Sequence, residues 1–194
     1  MTWPDRLRLP VTFDPERLAS DLAALSREDW IGHFLTERYD GDWDVLPLRG
    51  PASAIHPAMM ISAAPGERDF ADTPLLAASH YFRDVIAAFP GEIRGVRLLR
   101  LTPGSRIREH TDHESTEIDG ILRIHIPVVT NPDVEFLLNG TRVPMTAGSA
   151  WYLRLREPHS VTNHGTTDRV HMLIDTALND TLRAMLDQAV LEAA

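Results

Sequence analysis

The sequence predicts a mainly β fold with flanking helices, built as an antiparallel sandwich or jelly roll. After Gly95 the chain divides into short segments that are rich in β-branched and aromatic residues and are separated by turn residues. Asn139-Gly140 between two of these segments indicates a tight β-hairpin. No helix of crossover length is predicted between these segments, which favours antiparallel pairing. The predicted strands are 96–101, 121–129, 134–139, 141–146, 150–155, 159–163 and 169–175.

The N-terminal part of the chain mixes helix and strand signals. Asp14 stands before a proline, which predicts an N-cap and a helix over about 15–25. Residues 43–48 have the composition of a short strand, and Gly50-Pro51 ends it. This part is therefore expected to be an α/β segment.

Two further helices complete the predicted secondary structure. Thr73 is a candidate cap for a helix over about 75–89, which Pro90-Gly91 stops. The residues after Asp175 predict a closing helix, whose apolar side serves either internal packing or a dimer contact. We divide the chain into an N-terminal α/β segment packed on the core (1–94), a catalytic β core (95–176) and a C-terminal helix (177–194), which together form one structural domain.

Composition and charge exclude several classes of function. The 194 residues include 19 basic and 28 acidic side chains, giving a formal net charge of −9. Such a charge argues against non-specific binding to nucleic acid or to an anionic membrane. Without cysteine, the chain has no disulfides, thiolate metal sites or thiol nucleophiles. No apolar run approaches a membrane span of about 18 residues, and the N-terminus lacks an apolar signal core, so a cytoplasmic protein is expected.

The sequence His110-Thr111-Asp112 carries the strongest chemical signal. Side chains alternate along an extended strand, so His110 and Asp112 lie on one side and can bind one ion. His159, 49 residues after His110, is the expected third ligand. Two imidazoles and one carboxylate are the ligand set of non-haem Fe(II) enzymes, although Mn, Co or Ni also accept it.

The metal interpretation has competitors in the sequence. A His-x-Asp tripeptide is often a surface turn, and the chain contains 9 histidines. His164, in the turn Asn163-His164-Gly165, competes with His159 as third ligand. His113 is expected to point away from the ligands, as a supporting or solvated side chain.

Cationic residues in two apolar strands predict a carboxylate pocket. Arg169 begins the segment RVHMLID, and an arginine buried there needs an anionic partner. Its planar guanidinium suits a carboxylate held by two hydrogen bonds. In ILRIHIPVV, Arg123 and His125 share one face while the other face is apolar. These two residues either form an exposed polar face or hold the metal-proximal carboxylate of a keto acid.

Three segments taken in order resemble a known family. RLLRLTPGSRIREHTD, ILRIHIPVV and GSAWYLRLREPHSVTNHGTTDRVHMLID look like the aspartyl/asparaginyl β-hydroxylases, over about residues 95–176. That family is a branch of the Fe(II)/2-oxoglutarate dioxygenases and includes bacterial members that hydroxylate free proline.

The resemblance implies a fold, a reaction and site roles. The fold would be a double-stranded β-helix, a jelly-roll or cupin-like variant. Fe(II), 2-oxoglutarate and O2 would support hydroxylation of an amino acid, or of an Asp, Asn or Pro residue in a peptide, with succinate and CO2 as co-products. The implied cosubstrate residues are Arg169 for the far carboxylate and Arg123 and His125 near the metal. His110 and His159 match the family's metal histidines, and Asp112 completes the ligand set as in bacterial members, whereas animal-type members lack this carboxylate.

Two other hypotheses compete with the hydroxylase hypothesis. A cupin-like metalloprotein of other chemistry, such as an isomerase or a 2-oxoglutarate-independent dioxygenase, would make Arg169 merely structural. A non-catalytic binding module would keep the fold without the iron, although it has no need of the ligand set. The sequence is compatible with a homodimer. The expected binding partner is a substrate, either a small molecule or a peptide. Candidate substrate contacts are Trp43, Arg49, Arg154 and Arg156.

Overall fold

Two antiparallel β-sheets face each other in the computed structural model, which describes residues 3–61, 67–112 and 120–193. The larger sheet has the order β1-β11-β8-β13-β6-β4-β2, with β5 paired to β4, and the smaller has the order β10-β9-β12-β7-β3. This arrangement is the sandwich or jelly roll that the strand pattern predicts. The strands are β1 Arg6–Thr12, β2 Ile31–Gly32, β3 Tyr39–Asp40, β4 Trp43–Pro51, β5 Phe70–Asp72, β6 Ile93–Leu101, β7 Arg106–His110, β8 Ile121–Val129, β9 Val134–Leu138, β10 Thr141–Arg142, β11 Ser149–Leu153, β12 His159–Asn163 and β13 Arg169–Ala177.

Helices cover the outer face of the larger sheet. They are α1 Pro15–Ala23, α2 Pro74–Ala78, α3 His80–Ala87 and α4 Asp180–Ala193, and short 3-10 turns lie at Arg27–Asp29, Thr36–Arg38 and Pro57–Met60. Asp14 caps α1 as predicted, because its side chain accepts hydrogen bonds from the backbone N–H groups of Glu16 and Arg17. α4 packs on β1, and the Trp3 indole donates to Asp187 at 2.8 Å. Within the described ranges, no helix combines the length and apolar character that a bilayer span requires.

The two central strands confirm the predicted alternation of faces. In β8 and β13 one set of alternating side chains packs against the helices in a single apolar cluster. The opposite set points between the two sheets and carries the polar residues of the site. The apolar set is Leu122, Ile124, Ile126, Val128, Val170, Met172 and Ile174.

The hairpin between β9 and β10 also confirms its prediction. Leu138 pairs with Thr141, so Asn139 and Gly140 form a two-residue loop. Both have positive φ angles, 49° and 67°, as a type I′ turn requires. β10 is shorter than the predicted strand 141–146, because Pro144 has no N–H to continue the ladder.

The helix predicted over 75–89 is wrong as a single element. Ser79 is extended, with φ −96° and ψ 92°, and separates α2 from α3. The Asp21 carboxylate on α1 accepts hydrogen bonds from the backbone N–H groups of Tyr81 (2.8 Å) and Phe82 (2.9 Å). This long-range cap satisfies the first turn of a new helix, which no local pattern in the sequence reveals.

The N-terminal segment supplies strands to the larger sheet. β1, which the sequence analysis missed, pairs with β11, and β4 pairs with β6 along Trp43 to Arg49. Because β4 lies beside β6, the residues just before it reach the space between the sheets. The N-terminal part therefore contributes one wall of the candidate site.

Candidate metal centre

Three side chains from different parts of the chain converge at one end of the smaller sheet. His110 ends β7 and His159 begins β12, and the two residues are paired across these strands. Asp112 follows two residues after His110. One ligand atom from each of the three side chains lies within 4.8 Å of the others, and His110 Nε2 is 3.6 Å from Asp112 Oδ1. This spacing lets a single ion contact all three.

Both imidazoles are held in the orientation that a metal ligand needs. His110 Nδ1 lies 2.8 Å from the Arg108 carbonyl oxygen, and His159 Nδ1 lies 3.0 Å from that of Glu157. A carbonyl oxygen only accepts hydrogen bonds, so each Nδ1 carries the proton and donates it. Each Nε2 then presents its lone pair toward the point where the three side chains meet.

The charges at the triad also suit a cation. Burial lowers the pKa of His159 to about 4, so its ring is neutral at pH 7. Burial opposes ionisation of Asp112, but the positive charges around it, Arg123 first, outweigh this and lower its pKa below the usual value. At neutral pH the site thus offers a neutral imidazole and a carboxylate, the protonation states that bind metal.

Arg123 lies between the triad and a second carboxylate. Its Nη1 donates to Asp112 Oδ2 at 2.7 Å, while Nε and Nη2 donate to the two oxygens of Asp175 at 2.7 and 3.0 Å. Arg97 on β6 donates to Asp175 Oδ2 at 2.8 Å. Asp175 is mostly buried, and the two guanidinium groups hold its pKa far below the usual range despite that burial. Two arginines and two aspartates therefore form one ionic network.

Arg169 is buried with little to neutralise it. The residue is 2% exposed, and burial lowers the pKa of its guanidinium to about 9. Nη2 lies 2.8 Å from His171 Nδ1, Nε has no hydrogen-bond partner, and no carboxylate of the described residues pairs with it. Buried polar groups are normally satisfied, so such a cation points to an anion that binds there.

Two buried histidines beside Arg169 have free polar atoms. Both ring nitrogens of His125 and Nε2 of His171 lack a partner within the described parts of the chain. Burial, with the charge of Arg169, keeps the pKa of both rings well below the usual value, so both are neutral. Because His171 Nδ1 accepts from Arg169, its Nε2 carries a proton and can donate to an incoming oxygen. His125 and Arg169 line the space next to the triad, and His171 contacts the guanidinium of Arg169.

A cavity of about 200 Å³ joins the triad, Arg123, His125 and Arg169. Its remaining wall comes from the N-terminal segment. The ring of His33 stacks on Trp43 at a centroid distance of 3.6 Å, and Phe34, which is 52% exposed, stacks on the other side of His33 at 4.9 Å. Arg38 also lines the cavity, and its guanidinium makes no hydrogen bond or ion pair with the described residues. The wall is thus aromatic and carries one cation.

Of the remaining candidates, only Trp43 lines the cavity among the described residues. His164 is exposed and outside the triad, and His113 falls outside the described residues. Among the substrate candidates, Trp43 lines the cavity, whereas Arg49 pairs with Asp72, Arg154 bonds to the Trp3 carbonyl and Arg156 is exposed.

The sequence analysis missed four residues of this region: His33, Arg38, Arg97 and Asp175. A signal existed for two of them. Arg97 occupies the same alternating face as the buried Leu99 and Leu101 of β6, and Asp175 shares the face of Arg169. A charged residue at such a position needs a partner, and strand register identifies it.

The chain is similar to known proteins over most of its length. Residues 16–178 match the family model described as aspartyl/asparaginyl beta-hydroxylase. The chain belongs to this family. The chain is also 25% identical over 186 residues to an L-proline cis-4-hydroxylase of Rhizobium meliloti (strain 1021), and 23% identical over 177 residues to an L-proline cis-3-hydroxylase 1 of Streptomyces sp. The matches cover 93% and 87% of this chain but 64% and 59% of the two relatives, so the chain spans about three fifths of their length.

Solved structures confirm the fold expected of this β-hydroxylase family, the double-stranded β-helix. An oxidoreductase of the 2OG-Fe(II) oxygenase family from Burkholderia pseudomallei has a TM-score of 0.56 at 16% identity, covering 91% of this chain and 88% of its own. A non-heme alpha ketoglutarate dependent epimerase from nogalamycin biosynthesis gives 0.57 at 12%, covering 90% and 78%. A viral collagen prolyl hydroxylase from Paramecium Bursaria Chlorella virus-1 gives 0.51 at 7%, covering 91% and 97%. At these identities the likeness establishes the fold alone.

Proposed function

We propose that this protein is an Fe(II)- and 2-oxoglutarate-dependent hydroxylase of a small amino acid. One observation carries the proposal: two imidazoles, each oriented by a backbone carbonyl, converge with a carboxylate beside a buried guanidinium that has no acidic partner in the described chain. Membership of the β-hydroxylase family and the two proline hydroxylase relatives support it.

His110, Asp112 and His159 are the residues that would hold Fe(II). Their donor set and protonation states fit this ion, because neutral imidazole and carboxylate suit non-haem iron. When bound, the iron with 2-oxoglutarate and O2 supplies the oxidant for C–H hydroxylation, and succinate and CO2 leave as co-products. Since that chemistry belongs to the cofactor, the protein needs no nucleophile of its own.

Arg169 would hold the far carboxylate of 2-oxoglutarate. Its unsatisfied Nε is a donor that a carboxylate at this position would satisfy, while His171 Nδ1 holds Nη2 of the same guanidinium. His125 and Arg123 would lie against the end of the cosubstrate nearer the metal, where His125 has a free N–H to donate. The donors of Arg123 are already shared between Asp112 and Asp175, so His125 is the better placed of the two.

The cavity favours a small anionic substrate over a peptide. As formed by the described residues, its volume of about 200 Å³ is below the roughly 300–1,000 Å³ of sites for drug-sized ligands. Arg38 would bind the substrate's carboxylate, while the stacked rings of His33, Phe34 and Trp43 cover its apolar part. A cyclic amino acid such as L-proline is the first candidate.

Charge at the cavity supports the same choice. Arg38, Arg97, Arg123 and Arg169 line it, against Asp112 in the wall and Asp175 behind it, a local charge of 4 − 2 = +2. The whole protein carries −9. A positive cavity within an acidic protein attracts carboxylates, and a bound divalent metal adds to this attraction.

The test begins anaerobically with Fe(II) and 2-oxoglutarate. A chelated keto acid gives a weak visible charge-transfer band, which we expect for the wild type and not for Asp112→Ala or His159→Ala. His164→Ala is the matched control and should keep the band, since this histidine is exposed and distant. If His164→Ala loses metal binding and His159→Ala keeps it, the ligand assignment is wrong.

The second step measures turnover in air. Succinate release is followed while free amino acids, starting with L-proline, and short peptides containing Asp, Asn or Pro are supplied one at a time. We expect stimulation by a free amino acid. A wild type with neither band nor succinate would favour a cupin-like protein of other chemistry, and stimulation by peptides alone would refute the small-substrate part.

A further inference from the structure

Asp175 occupies a position behind the metal centre and outside the cavity wall. It lies on β13 directly opposite Arg123 of β8 and opposite Gly95 of β6. Its carboxylate accepts two hydrogen bonds from Arg123, at 2.7 and 3.0 Å, and one from Arg97, at 2.8 Å. One carboxylate therefore fixes two guanidinium groups that line the cavity.

This arrangement determines where Arg123 directs its remaining donor. A guanidinium is planar, so holding Nε and Nη2 on Asp175 fixes the direction of Nη1. Nη1 donates to Asp112 Oδ2 at 2.7 Å. That contact leaves the other oxygen of Asp112, Oδ1, turned toward His110 Nε2 at 3.6 Å. The orientation of the candidate metal-binding oxygen is thus set from Asp175 through Arg123.

We propose that Asp175 is a positioning residue for the metal centre: it locks Arg123, and Arg123 holds the Asp112 carboxylate with one oxygen toward the ion. The inference rests on the proposed function, because it requires a metal at His110, Asp112 and His159. Arg97 acts as the second clamp on Asp175, which prevents this carboxylate from rotating away from Arg123.

A purely structural ion network would behave differently from this clamp. Buried ion pairs often contribute little net stability, so a change in folding alone is not diagnostic. Partners that orient metal ligands typically affect metal affinity about 10- to 100-fold. Metal affinity and the geometry of the bound ion are therefore the readouts that separate the two roles.

The experiment titrates the full chain with Co(II) and, anaerobically, with Fe(II), without 2-oxoglutarate. Asp175→Asn removes the charge at nearly constant shape, and Asp175→Glu keeps the charge but displaces the carboxylate. We expect both to weaken metal binding about 10- to 100-fold and to alter the visible spectrum of bound Co(II). A simple charge effect would weaken binding in Asp175→Asn alone and would overturn the positioning role.

Asp44→Asn is the matched control. Asp44 on β4 pairs with Arg100 of β6 at 2.8 Å, with similarly low exposure, but on the sheet face away from the cavity. The same Asp-to-Asn change there should leave metal affinity within twofold of the wild type. An equal loss in this control would show a general effect of removing an ion pair and would also overturn the proposal.

Arg123→Lys keeps the test decisive if the Asp175 variants do not fold. It retains the charge but lacks the planar fork that spans both carboxylates, so we expect the same loss of metal affinity. Unchanged affinity would refute the clamp. If the wild type binds no metal, the proposed function and this inference both fall; if it binds metal and all three variants bind equally well, this inference alone falls.

Discussion

The two faces of β8 and β13 differ sharply in chemistry although they belong to the same strands. Toward the helices the side chains are apolar and fully buried, and they belong to one cluster. Toward the smaller sheet the same strands present Arg123, His125, Arg169 and His171, several with unsatisfied polar atoms. Period-two alternation lets one pair of strands hold the fold together on one side and keep a costly polar site on the other.

The largest expected effect belongs to the helix-facing side. Met172 is completely buried there, and Met172→Ala should lower the free energy of unfolding by about 2–5 kcal/mol through lost burial and a cavity. Chemical denaturation measures the loss, and 2-oxoglutarate affinity at low temperature should be retained. Met59→Ala is the control: Met59 is 51% exposed, so its truncation should stay within about 0.5 kcal/mol. A stable Met172→Ala protein would mean that this face does not carry the stability.

Acid should destabilise the protein through its cavity-facing side. Burial, with the charges of Arg97 and Arg38, lowers the pKa of His33 to about 4, although Asp112 acts in the opposite sense. In the unfolded chain a histidine titrates near 6.5. Between these values the unfolded state binds more protons, so the free energy of unfolding falls as the pH drops from about 6.5 to 4.

His33→Phe tests this acid effect, because it preserves the ring stack and removes the titration. At pH 4 the variant should regain on the order of 3 kcal/mol relative to the wild type, while near pH 7 the two should be similar. Denaturant unfolding at a series of pH values gives the comparison. The control His164→Gln, at an exposed histidine, should not alter how the free energy of unfolding changes with pH. If His33→Phe also shows the pH dependence of the wild type, position 33 does not hold a buried neutral ring.

Arg169 should have opposite effects on stability and on binding. Arg169→Met removes a buried cation without an acidic partner among the described residues, so the free energy of unfolding should equal or exceed that of the wild type. 2-Oxoglutarate affinity should fall about 10- to 100-fold, since hydrogen bonds to charged groups contribute about 1.5–3 kcal/mol. Arg169→Lys should lose less 2-oxoglutarate affinity than Arg169→Met, because lysine keeps the positive charge. Calorimetric titration of the metal-loaded protein measures both variants.

The pKa of about 9 for Arg169 makes 2-oxoglutarate binding depend on pH. The guanidinium must be protonated to bind a carboxylate, so 2-oxoglutarate affinity should be constant below about pH 9 and decline above it. The Arg169→Met variant should lack that decline. A wild-type affinity that is flat to pH 10.5 would show that the cation is better stabilised than its burial implies.

The same comparison explains what the sequence could reveal. Alternation within β8 and β13 predicted both faces, and the spacing of His110, Asp112 and His159 predicted their convergence. The network of Arg97 and Asp175 depends on which strands are neighbours and in what register, information that only the folded sheet contains. The break at Ser79 and the cavity wall around His33 likewise arise from contacts between segments distant in the chain.

The smallest expected effect concerns the N-terminal wall of the site. Arg38 lines the cavity, its guanidinium has no hydrogen-bond partner among the described residues, and a substrate carboxylate there would gain a charge-assisted hydrogen bond. Arg38→Met should raise KM for the best amino acid of the turnover screen about tenfold, or about 1.4 kcal/mol, and leave kcat and 2-oxoglutarate affinity nearly unchanged. Arg106→Met, on the exposed side of β7, removes the same charge outside the cavity and should change neither parameter. If both variants raise KM equally, the effect is long-range attraction, and the aromatic wall does not hold the acid group.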